Sequence, residues 1–501
     1  MRGNIMLLLP IFVPILMGVV VLMGKGFRRN RNMLVGTVAA VLLAGTGLVF
    51  AALASGGECM LFELTDAITI GFAVDKVSRL FAALTAVVWL LVGIFSFSYM
   101  THERDEYRFY GFYLIVLGVL VGLDFSANLV TMYVFYELMT LTSLPLVLHE
   151  LTKEAVMAGL KYLFYSIAGA FLALFGIFFL AGIAGNLTFT PGGALAGGAV
   201  HAALAGKEGL LHGAVFCMIV GFGTKAGMFP LHGWLPTAHP VAPAPASAVL
   251  SGIITKSGVL ALIRVVYYIV GPGLIRGTWV QTAWIVLALL TVFMGSMLAY
   301  KEKVLKKRLA YSTVSQVSYI MFGLALLQPV GFVGALSHVV FHSLVKNALF
   351  LAAGAIIFTT GWTKVDEMRG IGRVMPEMMA CYTIVSLALI GIPPASGFVS
   401  KWYLATGALS SGTGVWSWSG PVVLLVSALL TAGYLLPLTI NGYFPGDDFD
   451  GTKLEKRKLN GKEPSWLMLG PVAVMAAASL LFGCFPGGLL SMLESIAAAV
   501  L

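Results

Sequence analysis

Apolar runs of about 20 residues recur along this chain from end to end, each long enough to cross a hydrocarbon core of roughly 30 Å. Inside such a core no water satisfies a backbone amide, so each run must close its hydrogen bonds within itself, as a helix does. The charge content agrees. Of 501 residues, 11% are Asp, Glu, Lys or Arg and 59% are hydrophobic, whereas a soluble domain carries about 25% charged residues. The sequence predicts an all-α polytopic membrane protein with about 14 transmembrane helices. The first run, near 4–24, has the make-up of a signal peptide. It lacks a small-residue cleavage site and another span follows at once, so it reads as a retained first helix.

Basic residues gather in alternate short loops. Lys25, Arg28, Arg29 and Arg31 follow the first span, and Lys301, Lys303, Lys306, Lys307 and Arg308 the ninth. Lys364, Arg369 and Arg373 follow the eleventh, and Lys453, Lys456, Arg457, Lys458 and Lys462 the thirteenth. Positive loops stay in the cytoplasm, so a multi-pass cell (inner) membrane protein is expected, with both termini on the non-cytoplasmic side. The net charge of +9 then sits in short loops between spans and gives no reason to expect nucleic acid. The four cysteines form no CxxC or other metal-ligand spacing, and no phosphate-binding glycine motif occurs. No metal, nucleotide or redox cofactor is expected on this chain.

Several ionisable residues interrupt the apolar runs. Glu137 sits in "NLVTMYVFYELMTLTSLPLVL", Lys225 in "IVGFGTKAGMF" and Lys256 in "SGIITKSGVLAL". His338, His342 and Lys346 sit in "LSHVVFHSLVKNALF". Each charge at the bilayer centre costs roughly 2.5–3.5 kcal/mol, so these groups are expected to face one another or water. His338, His342 and Lys346 are spaced i, i+4, i+8 and stack on one helix face over about 12 Å, the pattern of a proton relay.

Prolines mark the same regions. The stretch "KAGMFPLHGWLPTAHPVAPAPASAVLSGIITK" from Lys225 to Lys256 holds five of them. Proline breaks a helix, and in lipid the freed backbone groups must line a cavity or be buried in protein. His232 and His239 lie in this crossing as weaker candidates, equally suited to bonding freed carbonyls. A second interruption, "IGIPPASGFVSKW", carries Lys401. Two broken helices five spans apart point to an inverted-repeat transporter. Its halves would be 109–270 and 271–445, preceded by helices in 1–108 and followed by a loop and last helix in 446–501.

The segments "FPLHGWLPTAHPVAPAPASAVLSGIITKSGVLALIR", "YELMTLTSLPL", "KRLAYSTVSQVSYI", "HVVFHSLVKNALFLAAGAI" and "GIPPASGFVSKW" resemble, in order, the antiporter-like membrane subunits of respiratory complex I, Mrp-type sodium/proton antiporters and membrane-bound hydrogenases. The resemblance covers roughly residues 70–445. It implies fourteen helices, two inverted five-helix repeats and a mid-membrane chain of charges. By motif, Glu137 and Lys225 match the first half-channel pair, Lys256 the connecting lysine, and His338, His342 and Lys346 the relay on the eleventh span. Lys401 matches the terminal charge of the second half-channel. The chain stops soon after the fourteenth span, without a lateral helix or extended carboxy-terminal domain. It is therefore most similar to the D-type subunits of Mrp antiporters and their hydrogenase counterparts.

The implied function is translocation of protons or sodium ions, as a subunit of a redox-driven multisubunit complex. Neighbouring antiporter-like subunits and a peripheral redox arm would be its partners, and this chain would perform no redox chemistry. The alternative is a subunit of an Mrp-type antiporter that runs without electron transfer. The complete Glu–Lys–Lys–His–Lys series speaks against a purely structural arm. Burial disfavours an ammonium and a nearby carboxylate restores it, so moving Glu137 relative to Lys225 would switch whether Lys225 holds its proton. At ~2.3 kcal/mol per charge per 100 mV, one proton against ~150 mV costs about 3.5 kcal/mol, within reach of one made or broken ion pair.

Overall fold

The apolar runs wind into helices whose starts are fixed by the few polar side chains at their heads. Asp75, Asn128 and Thr152 each accept a hydrogen bond from a backbone N–H three residues on, at Ser78, Thr131 and Ala155. Such caps satisfy one of the four free donors of a helix start. The structure, a computed structural model, describes residues 2–65, 68–185, 187–197, 206–447, 449–450 and 462–501. Its longer helices run in order as α1 (Leu9–Met23), α2 (Arg31–Ser55), α3 (Lys76–Tyr99), α4 (Glu106–Asp124), α5 (Leu129–Val147) and α6 (Lys153–Ala184). Next come α7 (Glu208–Ala226), α8 (Leu235–Val241), α9 (Ala244–Val270), α10 (Trp279–Lys301), α11 (Leu305–Ala325) and α12 (Pro329–Thr360). The chain closes with α13 (Pro376–Ile390), α14 (Ser396–Leu409), α15 (Val415–Tyr443), α16 (Trp466–Cys484) and α17 (Gly487–Val500). Among the described residues, 11 helices are long and apolar enough to cross a membrane, and three shorter ones are apolar. The fold is thus that of a polytopic membrane protein.

The expectation of an all-α chain needs one correction. Three antiparallel strands, β1 (Arg2–Gly3), β2 (Glu58–Thr65) and β3 (Ile68–Ala73), form a sheet in that order, with Arg2 opposite Met60 and Glu58 opposite Ala73. β1 precedes α1, and β2 and β3 lie in the connection between α2 and α3, outside the apolar runs that dominate the reading. Cys59, Ile70 and Phe72 are buried while Met60 and Phe62 are exposed, the two-sided pattern of a strand pair. A second addition is α17. At 14 residues it is short for a span, and it buries Leu493, Ile496, Ala497 and Val500, packing against α12.

Loops segregate to the two ends of the bundle. At one end Arg31 pairs with Glu106, Val304 bridges Lys364, the Gly370 N–H bonds the Asn441 carbonyl, and Ser465 bonds Ser98. At the other end lie the sheet, the Leu129–Leu187 and Thr190–Tyr268 backbone bonds, and the bond from Lys76 Nζ to the Ser495 carbonyl. The basic loops after α1, α10 and α12 therefore share one end. Lys453, Lys456, Arg457 and Lys458 lie outside the described residues, and Lys462 is exposed.

At the centre stand α9 and α12. Every residue of α9 is buried, as is every residue of α12 from Gly331 to Ile356. Two π-helical stretches, Leu250–Ile254 and Arg264–Val270, bracket Lys256 on α9. Such widened turns expose main-chain carbonyls and cluster at functional sites.

Candidate functional site

Both predicted interruptions are present, and both end the same way. Helix α7 stops at Ala226, where Gly227 N–H bonds the Thr224 carbonyl (3.1 Å) and Met228 N–H the Gly223 carbonyl (2.8 Å). Helix α13 stops at Ile390, where Gly391 N–H bonds the Ala388 carbonyl (3.1 Å) and Ile392 N–H the Leu387 carbonyl (3.1 Å). These are Schellman turns, with Gly227 at φ +79° and Gly391 at φ +95°, a conformation that favours glycine.

Lys225 occupies the last turn of α7 and is fully buried. Its Nζ donates to Thr140 Oγ1 (2.9 Å), Tyr162 Oη (3.0 Å) and Ser166 Oγ (2.9 Å). Three acceptors match the three protons of an ammonium. Tyr162 and Ser166 stand one turn apart on α6, so both reach the same point. The Tyr162 ring lies 4.4 Å from Nζ, adding attraction from its face. Glu137, one turn before Thr140 on α5, forms no ion pair with Lys225 among the described residues; it is half-buried, and its Oε1 has no hydrogen-bond partner. The structure therefore brings the expected pair to one neighbourhood but holds the lysine with neutral hydroxyls.

Lys401 starts from the other side of its interruption, in α14, and reaches back. Its Nζ donates to the carbonyls of Leu389 (2.7 Å) and Ile390 (2.8 Å), and lies 5.2 Å from the Tyr319 ring centre. These carbonyls are the free acceptors of a helix end, where the partial negative charge of the helix favours a cation. At α7 the corresponding need is met differently, by Trp234 Nε1 donating to the Thr224 carbonyl (2.9 Å).

From Lys256 towards Lys401 runs a buried polar chain. Lys256 Nζ donates to the Ser251 carbonyl and meets His342 Nδ1, each at 2.7 Å. The rings of His342 and His338 are 5.8 Å apart, and His338 Nδ1 shares a 2.8 Å hydrogen bond with Ser400, the neighbour of Lys401. His338 also stacks on Tyr319 at 5.5 Å. Lys346 lies on the same face of α12 but turns aside to the Leu309 carbonyl (3.0 Å) on α11. The weaker candidates stay apart from this chain: His239 stacks on Phe350 (4.6 Å) with neither ring nitrogen hydrogen-bonded, and His232 stacks on Phe229 (6.0 Å).

Sequence reasoning missed the hydroxyls Thr140, Tyr162, Ser166 and Ser400. They are ordinary in apolar helices, and only the i, i+4 spacing of Tyr162 and Ser166 signalled a shared face. It also missed Asp75, which caps α3 and forms an ion pair with Arg264 of α9. Burial raises the Asp75 carboxyl, but Arg264 and Ser78 more than offset this and hold it down to about 2. That pair is a fixed charge couple. The Lys256–His342 contact is different: either nitrogen can hold the shared proton, so it can pass one.

Residues 126–431 match the family model described as NADH:quinone oxidoreductase/Mrp antiporter, TM. The chain belongs to that family. A second model, NADH-Ubiquinone oxidoreductase (complex I), chain 5 N-terminus, matches residues 63–110. The NADH-quinone oxidoreductase N subunit of Desulforudis audaxviator is 33% identical over 389 residues, covering 76% of this chain and 75% of the relative. The Na(+)/H(+) antiporter D subunit of Bacillus subtilis is 31% identical over 414 residues, covering 82% and 79%. A chain of the Mrp complex from Dietzia sp. DQ12-45-1b shares the fold at a TM-score of 0.83, with 23% identity over 99% of this chain and 97% of that one. The stretch shared with the NADH:quinone oxidoreductase/Mrp antiporter family contains every candidate residue from Glu137 to Lys401.

Proposed function

We propose that this protein is a proton- or sodium-translocating membrane subunit of a multisubunit, redox-driven complex. The observation that carries this reading is the 2.7 Å contact between Lys256 and His342, which links the Lys225 half to the Lys401 half inside a fully buried core. Fourteen spans follow if α7 with α8 and α13 with α14 each count as one interrupted span and α17 lies outside the count. The first repeat then holds α4 to α9 and the second α10 to α15. In each, the interrupted span meets side chains from the two preceding spans or from their counterparts five spans on: Lys225 bonds Thr140 and Tyr162 in one, and in the other Lys401 lies over the Tyr319 ring while its neighbour Ser400 bonds His338. The basic loops face the cytoplasm on this reading, and both termini face away from it.

Each candidate has a role here. Lys225 and Lys401 hold and release the ion or its proton at the two half-channels. Lys256, His342 and His338 connect them, with Lys346 beside the relay and His232 and His239 towards one entrance. Glu137 modulates Lys225 by moving towards or away from it. Energy comes from partner subunits on this reading, which the name of the Desulforudis audaxviator relative, an NADH-quinone oxidoreductase subunit N, supports. The coverage of the Bacillus subtilis relative supports a second reading, a subunit of a sodium/proton antiporter without electron transfer.

Two experiments test this. Replacing His342 with Ala in the assembled complex removes the link. Translocation should be lost while subunit abundance is retained, and undiminished translocation would refute the reading. Purification in mild detergent then separates the two complexes. Co-purifying dehydrogenase or hydrogenase-like chains support the first, and only small hydrophobic chains the second.

A further inference from the structure

Asp124 ends α4 as a buried carboxylate, 3% exposed, that the chain of lysines and histidines does not use. Its Oδ2 accepts one hydrogen bond, from Thr85 Oγ1 at 3.0 Å. A carboxylate with a single neutral donor in a buried site is under-solvated and needs further partners. A cavity of about 10 Å³ lies beside it, lined by Asp124, Thr85, Lys256 and Ser257 among others. That is close to the roughly 10–15 Å³ that one water requires, and the lining offers the polar partners a buried water needs. Arg264, whose charge acts on Asp124, is ion-paired to Asp75. His342 holds Lys256. Asp75 is partly exposed at the end of the bundle that carries the sheet.

We propose that Asp124 is a further proton-transfer residue, exchanging a proton with Lys256 through one water in this cavity. The inference rests on the translocation reading above. In the step, Lys256 Nζ gives a proton to the water, which gives one of its own to an Asp124 carboxylate oxygen. One N–H breaks and one O–H forms, and the ammonium–carboxylate couple becomes a neutral amine and a carboxylic acid. The total charge is unchanged, and the middle lysine gains a branch towards the face where Asp75 emerges.

The test uses the intact complex in vesicles, with subunit abundance measured beside translocation. D124N should lower translocation per assembled copy by roughly tenfold, the scale set by losing one partner of a charged group. Infrared difference spectra over a pH step should show a protonated-carboxyl C=O band that D124N removes and D124E shifts. The same band should change in K256A, because the two groups share a proton. If K256A translocates at the wild-type rate, the translocation reading itself fails. If K256A is inactive but D124N translocates normally at normal abundance, only this inference fails. Should D124N not assemble, D124E still assigns the band. A band so assigned that ignores K256A, or the lack of any such band in the wild type, overturns the proposal.

Discussion

Helices α7 and α13 stop in the same Schellman turn, yet the lysines beside those turns are held by opposite kinds of oxygen. Lys225 precedes its turn, and its Nζ leaves the helix sideways into three hydroxyls. Lys401 follows its turn and folds back onto two main-chain carbonyls of the helix it has just left. A hydroxyl both accepts and donates, so the Lys225 cage can turn a proton towards a neutral amine as readily as it accepts from an ammonium. A carbonyl only accepts, and a helix end favours positive charge. The same backbone device therefore yields a lysine suited to switching and a lysine suited to holding a cation. What decides between them is which side of the break the lysine stands on.

The largest expected contrast comes from deleting each lysine. K225A should abolish translocation while leaving abundance intact, because Thr140, Tyr162 and Ser166 can re-pair, as Tyr162 already does with Ser143 (2.7 Å). K401A should lower both, since the Leu389 and Ile390 carbonyls lose their cation, a loss of up to ~2 kcal/mol at a helix end. Quantitative immunoblotting beside vesicle transport separates them, and equal abundance in the two variants would erase the contrast. A smaller effect is expected from Y162F. It removes one hydroxyl from a charged group, about 1.5 kcal/mol or roughly tenfold in translocation, at normal abundance. Smaller still is S400A, which frees His338 Nδ1; a neutral hydrogen bond is worth about 1 kcal/mol, so transport should fall roughly fivefold. If S400A matched Y162F, the relay would depend on both halves alike. E137Q closes the series with a loss of about threefold, as no ion pair is broken when the charge goes; the magnitude follows the small worth of an unpaired charge at a distance in a screened site.

Much of this was legible in the sequence. Span lengths, the two interruptions and the buried ionisable series follow from hydropathy and from the cost of charge in lipid. The 3.6-residue period placed His338, His342 and Lys346 on one face, as found. The period could not say that Lys346 turns to Leu309, because side-chain direction depends on which neighbouring helix offers an acceptor. The sheet escaped notice since β2 and β3 sit in a connection too short to stand out from the spans. The hydroxyl cage escaped because serine and threonine bond their own helix backbone in most apolar helices, and only packing reveals a cross-helix partner. Asp75 and Arg264 are far apart in sequence, so their pairing came from the fold alone.

The most direct measurement compares K225R with the wild type in the assembled complex, scoring subunit abundance and ion translocation together. Arginine keeps a positive charge at every working pH and cannot release a proton. If Lys225 is a transfer group, K225R assembles at near wild-type abundance and translocates no more than K225A. If Lys225 only anchors α7 to the hydroxyls of α5 and α6, K225R translocates at the wild-type rate and K225A loses the protein from the membrane, and the account is contradicted.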